Sequence, residues 1–156
     1  PPVRGGGAPA PPLGWGTRWG GGGPQGCWIR QDQNWSVGVP HGMEVPGWVA
    51  AQIRRHAVGT SALNEREQAS LGPLLAKLTT AITEATGAEK VYAVTFGEAF
   101  PHWHVLLMAR DSAVPAAHRG AAFMLNRAEY VDRDAALTIA DRIRALLAGR
   151  ADKSAR

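Results

Sequence analysis

The chain has 156 residues, 45% apolar and 19% charged, proportions of an ordinary globular protein that exclude disorder along its whole length. One domain is expected at this size, with enough residues to bury a sizeable core. Its net charge of +4 favours anionic ligands, but the arginines are scattered and no basic patch interleaved with aromatics marks a nucleic-acid site. The single cysteine, Cys27, excludes an internal disulfide and a zinc site of several thiolates, and fits a reducing compartment. No stretch has the apolar length of a bilayer span or of a signal region, so a cytoplasmic location is expected.

Residues 1–26 are dominated by proline and glycine and are expected to form a flexible or draped arm, with Trp15 and Trp19 as the side chains suited to docking. A single domain is expected over 27–150, with 151–156 as a tail. "CWIR" and "NWSVGV", separated by the turn-prone "QDQN", predict a hairpin at a sheet edge. "VPGWVAAQIRRH" predicts a buried strand from Trp48 to Ile53, with His56 just past its end. Asn64 and Glu67 form a capping-box start for a helix that Gly87 ends, with Leu71, Leu74, Leu78, Ile82 and Ala85 in one stripe. Gly72-Pro73 predicts a kink, or a start at Pro73.

"EKVYAVTFG" predicts a strand that turns through "GEAFP" into "HWHVLLMAR" as an antiparallel hairpin. In an extended chain, His102, His104, Leu106 and Met108 share one face and Trp103, Val105, Leu107 and Ala109 the other. One face thus opens with two imidazoles and closes on hydrocarbon, the pattern of a strand that lines a site and then enters a core. Residues 111–131, with His118, Arg119, Arg127 and Tyr130, read as a long loop that covers a site or moves. A last helix is predicted from about Asp132 to Ala148, ended by Gly149. Helices set against an antiparallel sheet make the fold class α+β.

By spacing alone, the His102–His104 pair reads first as a satisfied structural pair, second as a metal site with His56 or Glu98 as third ligand, and third as a nucleophile. His41 reads as a turn residue and His118 as a surface or lid residue.

The order of these segments resembles the histidine-triad superfamily of nucleotide hydrolases and transferases. The resemblance runs from about Trp28 to Arg110 and rests on "PGW…RRH" and "PHWHVLLMAR". It departs from the family pattern at Trp48 and Leu106, both histidine in the family, and at Ala109, where proline is usual. The resemblance implies an α+β fold with a long helix and a C-terminal helix on an antiparallel sheet, and pairing into a homodimer. It also implies a nucleotide or other phosphorylated small-molecule substrate. His104 takes the nucleophile's position and His102 that of its supporting neighbour, and His56 stands where the family carries a histidine near the site. By their own chemistry Arg110 would contact phosphate, or pair with an acid at the strand end, and Glu98 would orient His102 or act on substrate, or stay a solvated turn carboxylate; with His56 they are the expected substrate contacts. The chemistry is a covalent nucleotidyl-histidine that water or another acceptor resolves, and it needs neither a cofactor nor a metal. Leu106 removes a donor from the site, so a repurposed enzyme with a non-nucleotide substrate, or a nucleotide-binding protein without turnover, stays open as an alternative.

Overall fold

The structure, a computed structural model, describes residues 27–154, with side chains described through residue 150. The arm of residues 1–26, with Trp15 and Trp19, lies outside them. Five strands make one antiparallel sheet: β1 (Trp28–Gln31), β2 (Trp35–Gly38), β3 (Trp48–Ile53), β4 (Lys90–Val94) and β5 (His104–Arg110). Their spatial order is β1-β2-β3-β5-β4, so the predicted β1-β2 hairpin is an edge and β5 lies inside. Every residue of β3 is buried, which is why its sequence shows an apolar run and little alternation.

Two long helices, α1 (Glu65–Thr86) and the C-terminal α3 (Arg133–Ser154), cover one face of the sheet. Leu78 and Ile82 of α1 and Ile143 of α3 are fully buried there against Val49, Ala51, Val105 and Leu107. The opposite face carries a smaller apolar cluster around Trp48, Ala50, Leu106 and Met108. It is closed by residues 111–131, which fold as two 3-10 turns around the short helix α2 (Ala121–Leu125). The predicted long loop is therefore compact, and Val114 and Phe123 hold it to the sheet.

Helix α1 runs unbroken through Pro73, contrary to the predicted kink or late start. Gly72, Pro73 and Ala69 all face solvent, so the carbonyl that loses its intrahelical donor does so where water replaces it. The first turns are held independently: Asn64 Oδ1 accepts from the Glu67 amide at 3.0 Å, and Glu67 Oε2 accepts from the Asn64 amide at 2.8 Å. Arg55 then grips the buried Glu67 carboxylate through Nε at 2.6 Å and Nη2 at 2.7 Å. The same guanidinium donates to the Ala62 carbonyl, which ties residues 55–63 to the start of the helix. The hydrogen bonds from Arg55 hold the Glu67 carboxyl below its ordinary pKa, against the opposing effect of burial. Helix α3 passes Gly149 rather than ending before it, and Arg150 pairs there with Glu84 of α1.

The Pro46-Gly47 pair has a steric reason. Gly47 has φ +78°, and a Cβ on it would stand 2.6 Å from Cβ of Ala109 and 2.8 Å from Cγ2 of Thr86. Only glycine lets β3 enter so close to the end of β5. Gly47→Ala is expected to cost about 2 kcal/mol through overpacking and the left-handed backbone. A denaturant midpoint equal to that of the wild type would show that this approach is not tight.

Candidate active site

Strand β5 begins at His104, and His102 sits just before it, still docked to the end of β3. The amide of Trp103 donates to the Ala57 carbonyl at 2.7 Å, and its carbonyl accepts from the Ile53 amide at 3.2 Å. This docking keeps the predicted alternation. Trp103 turns to the helix side, 5% exposed, where it meets Trp35 edge-on at 5.5 Å. Its indole Nε1–H donates to Oγ1 of Thr60 at 2.9 Å. His102 and His104 line a cleft of about 250 Å³, walled by Val58, Gly59 and Thr60, by Thr95, Phe96 and Pro101, and by Trp103 itself.

Each imidazole is oriented by a main-chain carbonyl. His104 Nδ1–H donates to the His102 carbonyl at 2.9 Å, so Nε2 is the ring nitrogen that carries the lone pair. His102 Nε2–H donates to the Ile53 carbonyl at 2.5 Å. The exposed ring of His56 lies 5.8 Å from that of His102. Phe100 stands against both rings, at 5.7 Å from His102 and 5.3 Å from His104. Sequence reasoning missed Phe100 because it lies in a connection with no periodic signal. It also missed Thr60, whose role appears only once Trp103 is placed.

Burial, then the charges of His56 and His104, push the His102 pKa below the ordinary histidine value, while the bond to Ile53 works in the other direction. Between that lowered value and the unfolded value near 6.5, the unfolded chain binds more protons, so stability falls as the pH drops. The contribution is fully present above about pH 6.5 and lost as the pH falls through the folded value. Thermal midpoints measured from pH 7.5 down to 5.5 should therefore fall more steeply for the wild type than for His102→Gln. Parallel curves would contradict the neutral, half-buried placement of His102.

The two departures from the motif sit in one cluster. Leu106 is 3% exposed and Trp48 1%, packed with Met108, Val114 and Phe123, and Trp48 meets Phe123 edge-on at 5.2 Å. The third position of the triad is thus hydrocarbon among hydrocarbon. Gln52, directly opposite His104 in the register, marks the end of this apolar face.

Two expected substrate contacts are not at the cleft. Arg110 closes β5 about 20 Å along the strand from His104, is 4% exposed, and donates to Glu89 at 2.8 Å and to the Asp111 carbonyl. It is a structural ion pair. Glu98 is exposed in the turn and makes no hydrogen bond or ion pair with either histidine. His41 is a turn residue paired with Glu44 at 3.3 Å, and His118 donates to or accepts from Tyr130 on the covering segment. Among the described residues no group of three His, Cys, Asp or Glu is placed to hold a metal ion, and no helix is long and apolar enough to cross a membrane.

Solved structures share this architecture. A histidine triad protein from Bradyrhizobium japonicum superposes with a TM-score of 0.64, at 23% identity, over 77% of this chain and 89% of that one. The chain has the histidine-triad fold. A hypothetical histidine triad nucleotide-binding protein from Sulfolobus tokodaii shares the histidine-triad fold with a TM-score of 0.63, at 13% identity, over 79% of this chain and 84% of that one. A uridylyltransferase matches over 81% of this chain but 42% of its own length, with a TM-score of 0.57 and 19% identity. No family model matches the chain, and no curated protein matches it in sequence.

Proposed function

We propose that the protein is a nucleotide hydrolase or nucleotidyl transferase that works through His104, with His102 and His56 in support. The observation that carries this reading is the hydrogen bond from His104 Nδ1 to the His102 carbonyl, which fixes the tautomer and gives Nε2 the lone pair in a ring that lines the cleft. In the first step that lone pair forms an N–P bond, and the bond from phosphorus to the leaving group breaks with its electron pair. The leaving atom takes a proton from His56 or from water at the open mouth. In the second step water forms a P–O bond as the N–P bond breaks, and its proton passes to His56, replacing the one given up in the first step, or to water at the open mouth; this frees the nucleoside monophosphate and restores neutral His104. The fold shared with a hypothetical nucleotide-binding protein and a uridylyltransferase supports a nucleotide substrate. Pairing into a homodimer belongs to the same reading, and the open edge of β4 offers the backbone groups for it.

A second reading has its own observation. Phe96 is 68% exposed and Val58 56% exposed at the lips of the cleft, and Phe100 adds a third apolar side chain beside the histidines, a lining suited to a substrate with an aromatic or apolar part. A panel of nucleoside phosphoramidates and dinucleoside polyphosphates, assayed with chelator present, separates the two. Release of nucleoside monophosphate together with a trapped nucleotidyl adduct on His104 is the expected result. No turnover by folded protein overturns the nucleotide reading and leaves the repurposed site.

A further inference from the structure

The two edges of the sheet are built differently. β1 is short, its register with β2 shifts between Trp28 and Arg30, and the Arg144 guanidinium donates to the Trp28 carbonyl. Irregularities and charges of this kind keep other strands off an edge. β4 has less of either: it pairs with β5 in unbroken register from Lys90 to Val94, and Lys90, at its start, is its one charged residue. Among the described residues no strand lies beyond it. A regular edge with an uncharged middle is a template for another strand, and a second copy of the chain offers an identical one.

The register fixes what such pairing brings together. The Ala109 amide donates to the Gly47 carbonyl and the Trp103 carbonyl accepts from the Ile53 amide, so odd-numbered residues here bond towards β3 and even-numbered ones towards β4. Lys90, Tyr92 and Val94, opposite Arg110, Met108 and Leu106, therefore bond to β5, and Val91, Ala93 and Thr95 turn their amides outward. Antiparallel pairing of two β4 strands about a two-fold axis at Ala93 uses all three, with Val91 opposite Thr95. Ala93 is small and exposed, as the centre of such a pair requires. The same register sets Lys90 of the second copy opposite Phe96. Phe96 in turn continues the β4–β5 register opposite His104 and lines the cleft with it. Lys90 of the second copy thus lies in the row of His104, two strand spacings or about 10 Å away. Its four-carbon stem crosses the Phe96 ring, which is 68% exposed.

The cleft lacks such a charge. Among the described residues no lysine or arginine lines it, and Arg110 is held by Glu89. We infer that two copies pair through β4 and that Lys90 of each contacts the phosphoryl group in the cleft of the other. The inference rests on the nucleotidyl-transfer reading, of which pairing is part, and adds to it a substrate contact made across the interface.

Sedimentation and turnover of a nucleoside phosphoramidate test it together, with wild type, Lys90→Met and Ala93→Pro compared. Ala93→Pro removes an outward amide and keeps the bonds to β5, so it should sediment as a monomer, whereas Lys90→Met should stay a dimer. Both should turn over about a hundredfold more slowly than the wild type. Co-expression of Lys90→Met with His104→Ala shows whether the lysine acts across the interface. The mixed dimer holds one cleft in which His104 and the Lys90 reaching it are both intact, and it should regain turnover that neither variant has alone. This mixture decides the case if Ala93→Pro fails to fold. A monomeric wild type that turns over, a Lys90→Met dimer as active as the wild type, or a mixed dimer without rescue overturns the inference and leaves His104 as nucleophile. A wild type without turnover overturns the underlying reading and this inference with it.

Discussion

His104→Ala is expected to lower turnover by about ten-thousandfold or more and to abolish the covalent adduct, because no other group takes over the attack on phosphorus. The His104 side chain is half-buried at the start of β5, and its removal leaves the core beneath Val105 and Leu107 untouched. The thermal midpoint should therefore shift by only a few degrees, and activity and stability separate cleanly. His102→Ala loses the ring whose Nε2 binds the Ile53 carbonyl but keeps the backbone carbonyl that orients His104. It should retain more activity than His104→Ala. A His104→Ala protein that still forms the adduct, or that turns over at an unchanged rate, excludes His104 as the nucleophile.

Trp103→Ala should remove about 3–5 kcal/mol of stability, the usual cost of truncating a large buried aromatic. Three losses combine: the packing of a side chain 5% exposed, the edge-on contact with Trp35, and the hydrogen bond to Thr60. Thr60 belongs to the wall of the cleft, so the same substitution frees that wall. Trp103→Phe fills most of the space and loses the hydrogen bond, worth about 1 kcal/mol. Urea denaturation of the three proteins gives the ranking, and a midpoint for Trp103→Ala equal to that of the wild type would contradict its place in the core. KM should rise in both variants, since both release Thr60.

The features legible in the sequence are those fixed by local periodicity. Alternation along 102–110 assigned His104, Leu106 and Met108 to one face and Val105 and Leu107 to the other, and the two apolar clusters divide in that way. The capping box at Asn64 and Glu67 and the left-handed end at Gly87 are local geometries and appear as expected. Features that depend on tertiary placement were not legible. The charge of Arg110 suggested a phosphate contact, but its partner Glu89 comes from the residues leading into β4 and lies 21 positions away in the chain. Gly149 looked like a helix end because the pairing of Arg150 with Glu84 is invisible to a reading along one helix. Pro73 looked like a break because which side of α1 meets solvent depends on the sheet. The segment 111–131 gave no periodic signal because none of its helical turns is longer than five residues.

The packing of Leu106 bears on how such a site changes over generations. Trp48 and Phe123 fill the volume beside it, so a histidine placed there alone would bury an imidazole among apolar side chains, in a cluster where the indole Nε1 of Trp48 already lacks a partner. Leu106→His is therefore expected to lower the thermal midpoint, and to do so less where Trp48, and the Phe123 that rests on it, have been made smaller. A third imidazole on this face thus calls for several coordinated changes, and a drifting sequence meets less stable proteins between one arrangement and the other.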